Sequence, residues 1–159
     1  MKEQGAFPKK ISDQLAFLKA ERVSGQFPGQ VVLGVDQLLE CENQLFDKPK
    51  NIEEAQKHLQ FFRGKKHYLH TSYVLVQDGK KLYGKTVSPC LTMRDFSHDF
   101  LEEYLKKSGE IILSSVGCYL LEDQGPQLFT KIEGDYFTIL GLPLLEVMKD
   151  LRELGLLKS

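Results

Sequence analysis

Apolar positions in this chain switch repeatedly between a helical period and short continuous runs. Ile11, Leu15 and Leu18 recur on one helical face behind Ser12. A first helix is therefore predicted from an N-cap at Ser12, with Pro8 ahead of it and Gly25 and Pro28-Gly29 ending it. Val31-Val32-Leu33-Gly34-Val35 is a β-branched apolar run that reads as a fully buried strand stopping at Asp36. Leu38–Cys41 and Gln44–Phe46 flank Glu42-Asn43 and read as a small hairpin. Asn51 with Glu54 three residues on has the spacing of a capping box, and Ile52, Ala55, Leu59 and Phe62 form the stripe of a second helix stopped by Gly64. Two long strands follow, 67–77 and 80–90, joined by the hairpin pair Asp78-Gly79. Ser97 caps a third helix closed by Gly109, and residues 111–113 read as a short extended piece. A strand is expected over 127–132, an apolar segment over 136–140, and a last helix from Pro143 to Gly155. The alternation predicts an α/β or α+β domain without internal repeats.

Composition adds bounds. The chain has 159 residues, which suits one domain over 1–159. Its formal net charge of −1 argues against a protein that coats a nucleic-acid polymer, though not against a small basic pocket. No apolar run reaches membrane-spanning length. Cys41, Cys90 and Cys118 have no zinc or disulfide spacing, which points to a reducing cytoplasm.

Candidate chemistry then rests on carboxylates and lysines. Asp36, placed directly after an apolar strand, is positioned to hold Mg²⁺ or Mn²⁺ or to act as a base on water; the alternative is a turn or cap residue. Lys48 is held extended by Pro49 and suits a phosphate oxygen, or is simply an exposed loop lysine. Lys19 borders the first helix's stripe, where it snorkels or reaches a phosphate. Arg63-Gly64-Lys65-Lys66-His67, with His70 after it, is either a polyanion patch or a helix C-terminus complementing its dipole. His58 reads as a surface residue and His98 as part of a helix's first turn. Glu122 and Asp123 sit in a glycine-bounded loop and either bind metal or a base edge or are solvated. The sequence has no P-loop, dinucleotide fingerprint, nucleophile elbow or HExxH motif. Metal-assisted hydrolysis of a phosphoanhydride fits what remains.

The order of segments carries more than any one residue. Leu18-Lys19-Ala20, Val32–Asp36, Asp47-Lys48-Pro49, Glu54-Ala55, Arg63–His67, Val116–Tyr119, Ile132–Tyr136 and Gly141–Leu144 run in the order found in the Maf family of nucleoside triphosphate pyrophosphatases, and the chain resembles that family over nearly its whole length. The resemblance implies a cytoplasmic hydrolase that releases a nucleoside monophosphate and pyrophosphate, acting on modified, non-standard or pyrimidine nucleotides. It implies an α/β fold around a mixed twisted sheet with flanking helices and two lobes, as in Maf and ITPase-like proteins. It further implies a divalent metal, Mg²⁺ or Mn²⁺, and a homodimer as the expected assembly. Asp36 falls on the family's water-activating acid. Lys19 and Lys48 fall on its triphosphate-contacting lysines. Glu122 falls in the loop approaching nucleobase or metal, where glutamate resembles the branch acting on methylated guanine nucleotides more than the glutamine branch; the base stays open.

The departures matter as much. Relatives of this kind open with a strand and a Ser-x-Ser-Pro-Arg-Arg loop, which this sequence does not contain. The family's next acidic residue is also missing. Gln37 stands for a threonine, and Ser114-Ser115 for an Asp-Lys pair. The expectation is a Maf-like domain lacking its N-terminal segment. It is either an active pyrophosphatase or an impaired nucleotide-binding homologue or interaction module.

Overall fold

The computed structural model describes residues 6–159. Six strands form one sheet with helices flanking it, so the α/β class is as expected. The helices are α1 (Ala6–Ser24), α2 (Ile52–Phe62), α3 (His98–Ser108), α4 (Tyr136–Leu140) and α5 (Leu144–Glu153). The strands are β1 (Val31–Cys41), β2 (Gln44–Phe46), β3 (Lys66–Gln77), β4 (Lys80–Val87), β5 (Cys90–Met93) and β6 (Phe129–Glu133). Their order is β2-β1-β3-β5-β6, with β4 also on β3. The pairs β1–β2, β3–β4, β3–β5 and β5–β6 are antiparallel.

The chain divides into two compact units, one of residues 1–37, 70–88 and 135–159, the other of residues 38–69 and 89–134. In the first unit, α1 starts earlier than predicted, and Ser12 is a buried mid-helix residue rather than a cap. Its hydroxyl meets Ser72 Oγ at 2.6 Å, which in turn meets Thr86 Oγ1 at 2.7 Å. The predicted stripe is also corrected: Leu15 and Leu18 are exposed, and the buried face is Ser12, Ala16 and Ala20. Small residues face the sheet because the helix backbone lies almost on Gly34. A Cβ there would overlap the Ala16 carbonyl oxygen and lie 2.7 Å from the Ala20 methyl. Ala16 and Ala20 pack with Val74 and Val76 of β3, with Phe17 and Val32 beside them.

In the second unit, α2 forms as its capping box dictates. Asn51 accepts from Glu54 N at 2.8 Å, and the Glu54 carboxylate reaches back to Lys50 N. Ala55, Leu59 and Phe62 are fully buried. The β1–β2 hairpin turns on Glu42 and Asn43, both at positive φ, as the sequence predicts. Ser97 caps α3. The stretch 109–114 is a 3-10 turn rather than an extended piece. The long strand predicted over 80–90 breaks at Ser88-Pro89 into β4 and β5, since proline cannot donate to the ladder. The strand predicted over 127–132 begins two residues late, after a 3-10 turn at Gly125–Leu128.

Candidate functional site

Asp36 does not end its strand. β1 continues through it to Cys41, so the predicted strand-end position is corrected. The run is also only partly buried, with Leu33 exposed. A polar pair survives mid-strand because both side chains find structure. The Gln37 carboxamide donates to Thr71 Oγ1 at 2.8 Å and to the Thr138 carbonyl at 3.1 Å. Thr138 sits in α4, whose first turn Asp135 caps through the Thr138 N–H at 3.0 Å. Gln37 thus ties β1 to β3 and α4 beside the aspartate.

The Asp36 side chain is 11% exposed. Its Oδ1 accepts from Lys19 Nζ at 2.6 Å, and the same ammonium donates to the Val35 carbonyl at 3.2 Å. Lys19 projects from α1 across the small-residue contact with β1, which brings the two elements close enough for this pair. The second oxygen, Oδ2, is buried and has no hydrogen-bond partner among the described residues. A carboxylate therefore presents one neutralised oxygen and one unengaged acceptor. A carboxylate with an acceptor free of hydrogen bonds has the chemistry of a general base or of a hard-cation ligand.

The other two candidates lie in the second unit. Lys48 is exposed and precedes buried Pro49 on the way into α2. Glu122 is exposed in the turn after Tyr119. The basic cluster does not form a patch: Arg63 pairs with Asp95 at 3.5 Å, Lys65 pairs with Glu42 at 3.2 Å, and His67 and His70 are buried. His58 is not a free surface residue either. It lies edge-on to Phe46 at 5.1 Å between ring centroids, and burial lowers its pKa against the opposing pull of Glu54. His98 stands in the first turn of α3 as expected, 3.1 Å from Glu102.

The sequence pattern places His67 in the basic cluster and gives Tyr119 no partner, whereas the structure pairs the two. His67 Nε2 lies 2.8 Å from Tyr119 Oη in an aromatic nest with Phe62 and Phe129. The alternation Lys66-His67-Tyr68-Leu69, exposed and buried in turn, was the available signal. Among the described residues no three His, Cys, Asp or Glu side chains cluster as a metal site. No described helix is long and apolar enough to cross a membrane.

A family model described as Maf-like protein matches residues 1–154. A Granulibacter bethesdensis protein named nucleoside triphosphate pyrophosphatase is 50% identical over 153 residues, 96% of this chain and 78% of that protein. A Paramagnetospirillum magneticum protein of the same name is 49% identical over 148 residues, 93% of this chain and 76% of that one. A Rhizobium etli protein named 7-methyl-GTP pyrophosphatase is 47% identical over 155 residues, 98% of this chain and 78% of its own length.

Proposed function

The chain belongs to the Maf-like family, and from that premise we propose that it is a nucleoside triphosphate pyrophosphatase. It hydrolyses the α–β phosphoanhydride of a nucleoside triphosphate, modified bases included, to the monophosphate and pyrophosphate. The observation that supports this best is the Lys19–Asp36 pair with its unengaged, buried Oδ2. The Asp36 carboxylate orients the attacking water and takes its proton. Lys19 keeps the carboxylate in place and, with Lys48, offsets charge gathering on the leaving pyrophosphate. Glu122 approaches the nucleobase.

A divalent cation fits this donor set. Asp36 offers a hard oxygen without a partner, and a Mg²⁺- or Mn²⁺-type ion needs only one or two protein carboxylates when substrate phosphates supply the rest. Such an ion, when bound, supplies charge neutralisation on the phosphates. The substrate class and three free cysteines together favour a cytoplasmic setting, and a homodimer is the expected assembly.

The test is a panel of nucleoside triphosphates with Mg²⁺ or Mn²⁺, read as pyrophosphate rather than orthophosphate release. Turnover by this chain, lost in Asp36→Asn, is the expected result. Nucleotide binding without turnover would instead favour an impaired, nucleotide-binding homologue.

A further inference from the structure

The second unit contains a buried polar contact that the proposed chemistry does not use. His67, on β3, is fully buried, and Tyr119 is 4% exposed. Their hydrogen bond lies inside apolar rings: Phe62 is 5.5 Å from the imidazole by centroids, and Phe129 is 4.8 Å from the phenol. Burial holds both groups neutral, with the imidazole pushed down to about 4 and the phenol pushed up. A neutral hydrogen bond in such surroundings is costly to break, because each partner would be left buried and unsatisfied.

What this contact holds is the root of a turn. Cys118, just before Tyr119, takes a left-handed conformation at φ 61°, and its carbonyl accepts from the Tyr104 hydroxyl of α3 at 2.9 Å. Just after Tyr119, the Leu120 carbonyl accepts from Gly125 N at 3.0 Å and Asp123 N at 3.2 Å. Gly125 is required there, since a Cβ would overlap that same carbonyl. The turn is therefore fastened at residues 118, 119, 120 and 125. Glu122 and Asp123 are its exposed residues.

We propose that the His67–Tyr119 hydrogen bond fixes the pose of this turn, making both positioning residues for base recognition by Glu122. The proposal rests on the reading of Glu122 given above. Neither residue touches substrate. They act by limiting where the Glu122 carboxylate can be, so a base edge meets a preorganised acceptor.

Binding separates this role from plain stabilisation. The probes are α,β-methylene analogues of the common and 7-methylguanine nucleoside triphosphates, with inorganic triphosphate as the base-free control. Tyr119→Phe keeps the ring and removes only the hydroxyl. It should lower the ratio of affinities between best and worst base by about three- to tenfold, the scale of one hydrogen bond. Inorganic triphosphate affinity should stay within about twofold. His67→Leu should do the same, and the double variant should lose no more than either single one. If Glu122→Gln loses discrimination while Tyr119→Phe keeps it, the positioning role is wrong and the reading of Glu122 survives. If Glu122→Gln keeps discrimination, the reading of Glu122 fails and the positioning role falls with it. Absence of binding by the parent chain overturns both.

Discussion

Lys19 and Asp36, seventeen residues apart, meet at 2.6 Å because α1 lies directly on Gly34 of β1. The pair is asymmetric: the lysine side chain is 59% exposed and the aspartate 11%. An exposed partner contributes little to stability, so the pair's worth is in holding the carboxylate. Asp36→Asn should keep the fold, with its melting temperature nearly unchanged, while turnover falls by on the order of 10². Pyrophosphate-release kinetics beside a thermal melt check this. Wild-type turnover in the variant would remove Asp36 from the chemistry.

Lys48 is predicted to act on phosphate alone. Lys48→Ala should raise KM for every nucleoside triphosphate by about tenfold, equivalent to about 1.4 kcal/mol, and lower the rate as well. A contact to phosphate predicts a penalty that does not depend on the base. A loss confined to one nucleobase would contradict the assignment.

Gly34→Ala probes the helix–strand contact itself. A methyl there has no room against the Ala16 carbonyl, so α1 must move off β1. The expected cost is about 1–3 kcal/mol, read as a lower urea midpoint. Activity should fall beyond what stability explains, because Lys19 would be displaced from Asp36.

These same elements show how far sequence patterns reach. The capped helix α2 and the two tight hairpins were legible because their signals are local: Asn51 with Glu54, Glu42-Asn43, Asp78-Gly79. The pattern places the start of α1 too late, since a serine before apolar residues resembles a cap whether or not the chain continues helical. Its buried face differs from the pattern for a tertiary reason: small residues face a glycine strand, and no hydrophobic stripe announces that. Asp36 lies mid-strand although the sequence suggests a strand end there, because two polar residues look like one. Only the distant groups at Thr71 and Thr138 make Gln37 acceptable mid-strand. His67 was hidden by its basic neighbours, although its alternation with Leu69 marked it as inward.

Burial also gives His67 a pH signature. Its imidazole is pushed down from 6.5 to about 4, so an unfolded chain takes a proton that the folded one refuses. Its contribution is therefore fully present above the unfolded value and is lost as pH falls from 6.5 towards 4. The loss is on the order of 3 kcal/mol at the acid end. Urea unfolding across that window should show a shallower acid decline in His67→Leu than in the parent. Equal slopes would show that this imidazole does not resist protonation.

The division of the chain into interleaved segments has a consequence for synthesis. One unit is complete once residue 134 has emerged from the ribosome. The other, which carries Lys19 and Asp36, needs residues on both sides of the first. Gln37 waits for the carbonyl of Thr138, and the buried Tyr73 hydroxyl waits for Asp150, 77 residues downstream, to accept at 2.6 Å. Helix α1 and strand β1 must therefore stay unfinished until those residues are made. The proposed catalytic carboxylate gains its support only once α4 and α5 have been made, after every residue of the other unit.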